Sequence, residues 1–96
     1  MAQGKSIASI TAENTGTEWI RTDKDVNITV SGTFAATIFL QKRFIDGGSA
    51  GSIIDVESYV SLTNRMVENS EDGVEFRLFC KTGGYTSGTA ELRLSY

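Results

Sequence analysis

The stretch TFAATIFLQKRF at residues 33–44 decides the fold class of this chain. Two sets of side chains alternate along it: Phe34, Ala36, Ile38 and Leu40 in one set, and Ala35, Thr37, Phe39 and Gln41 in the other. Successive side chains of a β-strand point to opposite faces, whereas a helix repeats every 3.6 residues. The stretch therefore predicts a strand with one core face and one outer face.

Glycine-rich segments divide the rest of the chain into further strands. Residues 45–51, IDGGSAG, combine Asp-Gly with three glycines in five residues, which predicts a turn. The strand returning over 52–60 would complete a hairpin. Its predicted faces are Ile54, Val56 and Ser58 on one side, and Ile53, Asp55, Glu57 and Tyr59 on the other.

The C-terminal part shows the same alternation twice. Residues 74–81 and 90–96 each place apolar and polar side chains alternately, and the glycine-rich segment 82–88 separates them. We expect these two strands to form a second hairpin. Cys80 falls on the apolar face and is interpreted as a small buried hydrophobic residue.

The other strands are shorter. Segments 6–12, 18–21 and 26–31 predict three more, and 62–72 predicts a short strand followed by an exposed acidic loop. Seven or eight short strands in a single domain of residues 1–96 indicate an all-β, antiparallel two-sheet sandwich, jelly-roll or immunoglobulin-like, with a barrel as the alternative. Residues 1–12 are expected to be an N-terminal arm or an edge strand, and Trp19 is expected to help fill the core.

Composition excludes several function classes. The chain has no histidine and one cysteine, which removes imidazole catalysis, multi-cysteine metal sites and an intrachain disulfide. Its net charge of −3 argues against nucleic-acid binding. No apolar run approaches the roughly 18 residues of a membrane helix, and the start lacks the apolar region of a secretory signal. We therefore expect no membrane partner and no export.

Acidic residues are the remaining candidates for chemistry. Asp55 and Glu57 share a predicted strand face, the arrangement that glycosidases use, but no second catalytic feature accompanies them. The acidic loop with Glu68, Glu71 and Asp72 lacks the ligand spacing of a calcium site. We expect a protein that is not an enzyme, with no catalytic, metal or cofactor site.

Large apolar side chains interrupt faces that are otherwise polar. The candidate partner interface comprises Phe39, Ile53, Tyr59, Phe79 and Tyr85. If their strands are neighbours, they form an apolar patch rimmed by charge, as in protein interfaces. Alternatively, the N-terminal segment or the second sheet covers the patch, and the Tyr85 ring folds back over the end of the sandwich.

Five segments between residues 31 and 96 carry a resemblance to a known class of protein: SGTF at 31–34, LQKRF at 40–44 with DGG at 46–48, DVESY at 55–59, GVEFRL at 73–78 and YTSGTA at 85–90. This succession resembles the small β-sandwich virion proteins of tailed bacteriophages, of the head decoration or cement type.

That resemblance implies a structural protein that decorates or cements the capsid, made in the host cytoplasm and located in the virion. Its partner would be the major capsid protein or another virion protein, and the chain itself would form a dimer or a trimer. The alternative hypothesis is a carbohydrate- or receptor-binding module, in which Trp19, Tyr59 and Tyr85 stack on sugar rings.

Overall fold

The computed structural model describes residues 5–45, 51–69, 71 and 73–96, and within these ranges the chain is all-β and antiparallel, as predicted. The strands are β1 (Lys5–Ile10), β2 (Thr15–Gly16), β3 (Ile20–Arg21), β4 (Val26–Ser31), β5 (Phe34–Ala36), β6 (Ile38–Phe44), β7 (Ile54–Tyr59), β8 (Thr63–Val67), β9 (Val74–Cys80), β10 (Tyr85–Gly88) and β11 (Ala90–Ser95). In this part of the chain we find no helix with the length and hydropathy of a membrane span.

The strand pairing is nested from the ends of the chain inward. β1 pairs with β11, β2 and β3 with β9, β4 with β8, and β6 with β7. Two further pairings, β11 with β4 and β9 with β6, join these pairs into two larger sheets, β1-β11-β4-β8 and β2/β3-β9-β6-β7. β5 and β10 form a separate two-stranded ribbon.

The core is one cluster of buried side chains from both larger sheets and is built by alternation along their central strands. β4, β9 and β11 each bury every second residue, so that their apolar side chains meet in one cluster. Fully buried members include Val26, Ile28 and Val30 from β4, Ile38 and Leu40 from β6, Leu78 and Cys80 from β9, and Leu92 and Leu94 from β11. The predicted core face of β6 and the burial of Cys80 are thus confirmed.

The number of strands and one hairpin differ from the sequence prediction. The described residues form eleven strands in place of the predicted seven or eight, because residues 17–19 separate β2 from β3, Thr37 separates β5 from β6, and residues 85–88 form a strand, β10, that pairs with β5. The second predicted hairpin is wrong, since β9 and β11 lie in different sheets. Alternation shows which side chains of a strand are buried. Strands of different sheets that contribute to the same core have the same pattern, so alternation does not show which sheet a strand belongs to. The predicted turn at residues 46–50 lies outside the described residues.

A β-bulge in β7 changes which of its side chains face the core. Leu40 pairs with Glu57 and Gln41 with Asp55, so Val56 is an extra residue between them. A bulge shifts the alternation by one residue. Tyr59 consequently pairs with Ile38 and is only 7% exposed, on the core side and not on the predicted outer side.

Gly88 marks a close approach of two backbones, which gives a testable prediction. Its φ is +86°, and a β-carbon there would meet the Thr33 carbonyl oxygen at 2.2 Å. Gly83 has a φ of +83° with nothing within 4 Å of that position. We expect Gly83→Ala to cost about 1–2 kcal/mol through backbone strain alone. Gly88→Ala should cost a further 1–3 kcal/mol, roughly, through the clash.

Urea unfolding of both glycine variants measures these costs. Equal losses of stability in Gly83→Ala and Gly88→Ala would contradict the close approach of the Gly88 and Thr33 backbones.

Candidate functional site

The side of the β2/β3-β9-β6-β7 sheet that faces away from the core carries an unusual set of aromatic and charged side chains. We call this surface the outer face. Its members come from β6, β7 and β9 and from the segments beside them: Trp19, Phe39, Gln41, Arg43, Asp55, Glu75, Arg77, Phe79 and Lys81. Cross-strand register places Phe39, Gln41 and Arg43 of β6 directly opposite Phe79, Arg77 and Glu75 of β9.

Phe39 and Phe79 are two members of the candidate interface that would meet only if their strands were neighbours, and the fold fulfils that condition. They are cross-strand partners, and both rings are half-buried. On the other side of β9, Gly16 pairs with Phe79, and a β-carbon at Gly16 would lie 2.8 Å from the Phe79 ring. The N-terminal segment therefore approaches one side of the pair closely while leaving the rings partly accessible.

Cationic side chains stack on the aromatic rings of the outer face. The Arg77 guanidinium carbon lies 4.1 Å from the Phe79 ring centroid and 4.5 Å from that of Trp19. Arg43 lies 4.1 Å from the Trp19 centroid, and Lys81 Nζ lies 4.4 Å from that of Phe39. Cation–π contacts of this kind contribute about 0.5–2 kcal/mol each. Trp19 thus packs on the outer face and not in the core, contrary to the prediction.

Gln41 connects the charged groups of the outer face. It is only 3% exposed, because the surrounding side chains cover it. Its Oε1 accepts a hydrogen bond from Arg77 Nε at 2.8 Å, and its Nε2 donates to Asp55 Oδ1 at 2.9 Å. Lys81 Nζ donates to the other oxygen of Asp55. The hydrogen bonds from Lys81 and Gln41 hold the pKa of Asp55 below its ordinary value.

The two arginines of the outer face differ in their partners. Arg43 Nε forms an ion pair of 2.8 Å with Glu75 Oε1. Arg77 has the neutral amide of Gln41 instead. Burial, and secondly the nearby charge of Arg43, lowers the pKa of Arg77. Arg77 is nonetheless charged at neutral pH, since guanidinium groups do not deprotonate in proteins.

None of the other three predicted interface residues is a cross-strand partner of Phe39 or Phe79. Ile53 precedes β7 and is exposed, while the Tyr59 ring is in the core. Tyr85 packs against the edge of the core, and its hydroxyl donates to the Gly88 carbonyl oxygen at 2.7 Å. The Tyr85 ring therefore folds back on the protein, which was the alternative to its being a partner contact. Phe39 and Phe79 are the two predicted residues that the fold brings together.

Glu57 and Asp55 do not form a carboxylate pair, because the bulge turns them to opposite faces of β7. Glu57 accepts hydrogen bonds from the Tyr59 hydroxyl at 2.7 Å and from Arg65 Nε in the other larger sheet. Burial opposes ionisation of Glu57, but these hydrogen bonds outweigh it and lower its pKa. Burial, together with the Glu57 charge, raises the pKa of Tyr59. The sequence interpretation of Asp55 and Glu57 as sharing one face is wrong.

The cations and the tryptophan of the outer face are not among the interface residues that were predicted by number from the sequence. Arg77, Phe79 and Lys81 follow one another at every second position, as do Phe39, Gln41 and Arg43. Alternate positions share one face of a strand, so aromatic and cationic residues at this spacing signal a stacked surface. No comparable signal marks Trp19, whose place depends on the path of the chain between β2 and β3.

Further exposed apolar side chains lie in and beside β7 and β8, and we call this part of the molecule the edge surface. Five large apolar side chains there are at least 40% exposed: Ile53, Ile54, Val60, Leu62 and Met66. β7 and β8 are the outermost strands of the two larger sheets on this side. Unlike the outer face, this edge surface carries no stacked cation among the described residues.

A cavity of about 530 Å³ opens at one end of the core, and its wall includes Lys42, Phe76, Val67, Glu68 and Glu71. Asn69 is also in the wall, and its backbone N–H donates a hydrogen bond to Asp25 Oδ1 at 2.9 Å. Within the described ranges no group of three or more cysteine or acidic residues could hold a metal ion. Asp72 of the predicted acidic loop lies outside those ranges.

Comparisons with protein-family models, with curated proteins and with solved structures found no match for this chain.

The Glu57 contacts predict a measurable dependence of stability on pH. A carboxylate whose pKa is lowered in the folded state stabilises it fully above the unfolded-state pKa of about 4.3, and this contribution is lost as pH falls through the folded pKa. Glu57→Gln should cost roughly 1 kcal/mol at pH 7, because both ion-pair partners are partly exposed. Between pH 5 and pH 3 the free energy of unfolding should also fall less in the variant than in the wild type, and the difference between the two decreases should be roughly 1 kcal/mol.

Urea unfolding at several pH values checks this prediction. Glu18→Gln is the matched control, since it removes an exposed carboxylate elsewhere. Identical pH profiles for the wild type and Glu57→Gln would contradict the stabilising role of the Glu57 contacts.

Proposed function

We propose that this chain is a non-enzymatic structural module that binds another protein through the outer face. The observation that supports it best is the cross-strand pair of Phe39 and Phe79 with cations stacked on both rings. Aromatic residues and arginine are the types enriched at the centres of protein interfaces and among the residues that dominate binding energy. A flat surface that already orders these side chains loses little conformational entropy when a partner binds.

The nested strand pairing supports the more specific fold. The chain forms eight strand regions when β2 is counted with β3, β5 is counted with β6, and β10 is set aside. The first region pairs with the eighth, the second with the seventh, the third with the sixth and the fourth with the fifth. A long hairpin folded over on itself gives this order, which is that of a jelly roll, a two-sheet sandwich found in viral capsid and lectin domains. We therefore propose a jelly-roll sandwich in place of the immunoglobulin-like type or a barrel.

The sequence resemblance extends the proposal to a location and a partner. A jelly roll with a protein-binding face suits a phage protein that decorates or cements the capsid, bound to the major capsid protein or another virion protein. The module would be made in the host cytoplasm and would act in the virion as a dimer or a trimer. The separation of Asp55 from Glu57 supports a role without catalysis.

The carbohydrate-binding alternative has less support from the same geometry. Sugar recognition uses accessible aromatic faces in a shallow groove. Of the three aromatic residues assigned to it, Tyr59 is buried, Trp19 is stacked with two guanidinium groups, and the Tyr85 hydroxyl is bonded to the backbone.

Purified particles of the phage that encodes the chain would test this proposal. We expect the chain to remain with the particles through a density gradient, and Phe79→Ser to reduce its amount per particle roughly tenfold, because a central aromatic contact is lost. Quantitative mass spectrometry measures the amount. Ile7→Ser, which changes an exposed apolar residue of the other larger sheet, is the control and should be retained.

Thermal unfolding of the purified variants verifies that each is folded. Absence of the wild-type chain from the particles would contradict the virion assignment. Full retention of folded Phe79→Ser and Phe39→Ser would contradict binding through the outer face.

A further inference from the structure

Arg77 is the least compensated charge of the outer face. Its Nε donates to the Gln41 amide oxygen, while the four N–H groups of its two Nη atoms have no protein acceptor among the described residues. The neighbouring cations are neutralised, Arg43 by Glu75 and Lys81 by Asp55. In the part of the chain that the structure describes, no carboxylate forms an ion pair with Arg77.

Its surroundings also hold the Arg77 guanidinium in a fixed position. Phe79 and Trp19 contact the group through their rings, and the hydrogen bond to the buried Gln41 fixes its Nε edge. The planar group therefore has few orientations left to lose on binding. A guanidinium held in this way presents two Nη donors that match the spacing of two carboxylate oxygens.

The charge balance points to the same ligand. The residues named above as the outer face include three cations, Arg43, Arg77 and Lys81, and two anions, Asp55 and Glu75, so this set has one more positive than negative charge. The chain as a whole has a net charge of −3. An acidic group on a partner is thus attracted to this face and repelled by the molecule elsewhere.

We propose that Arg77 is the anchor for a carboxylate of the protein partner, an aspartate or glutamate side chain in an acidic segment. This inference rests on the proposed function and specifies the chemistry of the partner. The carboxylate pairs with the free Nη atoms of Arg77, while Phe39 and Phe79 contact apolar side chains beside it. Arg77 then contributes specificity, and the aromatic pair contributes buried apolar area.

An acidic peptide probes the site directly, because Trp19 is the one tryptophan of the chain and contacts Arg77. We would titrate the protein with a capped pentaglutamate peptide and record Trp19 fluorescence and the Nε–H resonances of the arginine side chains. Capped pentaglutamine is the neutral control. We expect a saturable response to pentaglutamate that centres on Arg77 and weakens with added salt.

Substitutions at Arg77 and at a matched arginine test whether Arg77 is the residue that binds the carboxylate. Arg77→Lys keeps the positive charge but loses the two paired Nη donors. The dissociation constant of this variant for pentaglutamate should therefore rise about fivefold or more. Arg93→Lys, on the exposed side of the other larger sheet, should leave the constant unchanged. Equal responses of the Arg77 and Arg93 resonances, or equal affinity of both variants, would overturn the anchor.

The particle measurement separates this inference from the proposed function. If both the Phe79→Ser and the Arg77→Lys variants are lost from the particles, the result supports the proposed function and the carboxylate anchor together. Loss of Phe79→Ser with full retention of Arg77→Lys would overturn the carboxylate anchor and leave the outer face as the binding surface.

Discussion

The alternation of side chains along β9 is the constraint on which the rest of this structure depends. β9 pairs with β6 on one side and with β2 and β3 on the other, so it occupies the centre of its sheet. Every second residue is buried, and the residues between them project from the opposite side. The same strand thus supplies the core with Leu78 and Cys80 and the outer face with Glu75, Arg77 and Phe79. A change in the register of β9 would exchange these two sets.

The sequence was sufficient to predict much of the core and one part of the outer face. Period-two alternation identified β4, β6, β9 and β11, because each has one face that is apolar, apart from Lys42 in β6. It also predicted that Phe39 and Phe79 would meet if β6 and β9 were neighbours, and they are cross-strand partners. It could not predict which sheet each strand joins, and the expected hairpin of β9 with β11 is wrong for that reason.

Tyr59 and Trp19 show two other limits of local pattern. The extra residue at Val56 moves Tyr59 to the core, and a bulge leaves no mark in the composition of a short strand. Trp19 is large and apolar, yet its ring lies on two guanidinium groups at the surface. A cation–π partner offers an aromatic ring an alternative to the core, and the sequence does not show which residues the tertiary fold places beside it.

The outer face combines two properties that a binding surface needs. Ion pairs and the buried Gln41 hold its side chains in place, and its aromatic pair offers apolar area that a partner can cover. An all-β antiparallel fold serves many functions, so the proposed binding role depends on this surface and not on the fold. The edge surface with Leu62 and Met66 is the main competitor, since it exposes more apolar side chains but has fewer fixed polar groups.

Hydroxyl-radical footprinting of the chain alone and after incubation with the phage particles proposed to bind it tests most directly whether the outer face is the docking surface. Oxidation rates report the solvent exposure of individual side chains, including aromatic residues and methionine. If the account is correct, oxidation of Trp19, Phe39 and Phe79 falls severalfold on the particle while oxidation of Met66 is unchanged. Unchanged rates at Phe39 and Phe79 together with protection of Met66 would contradict it and place the partner on the edge surface.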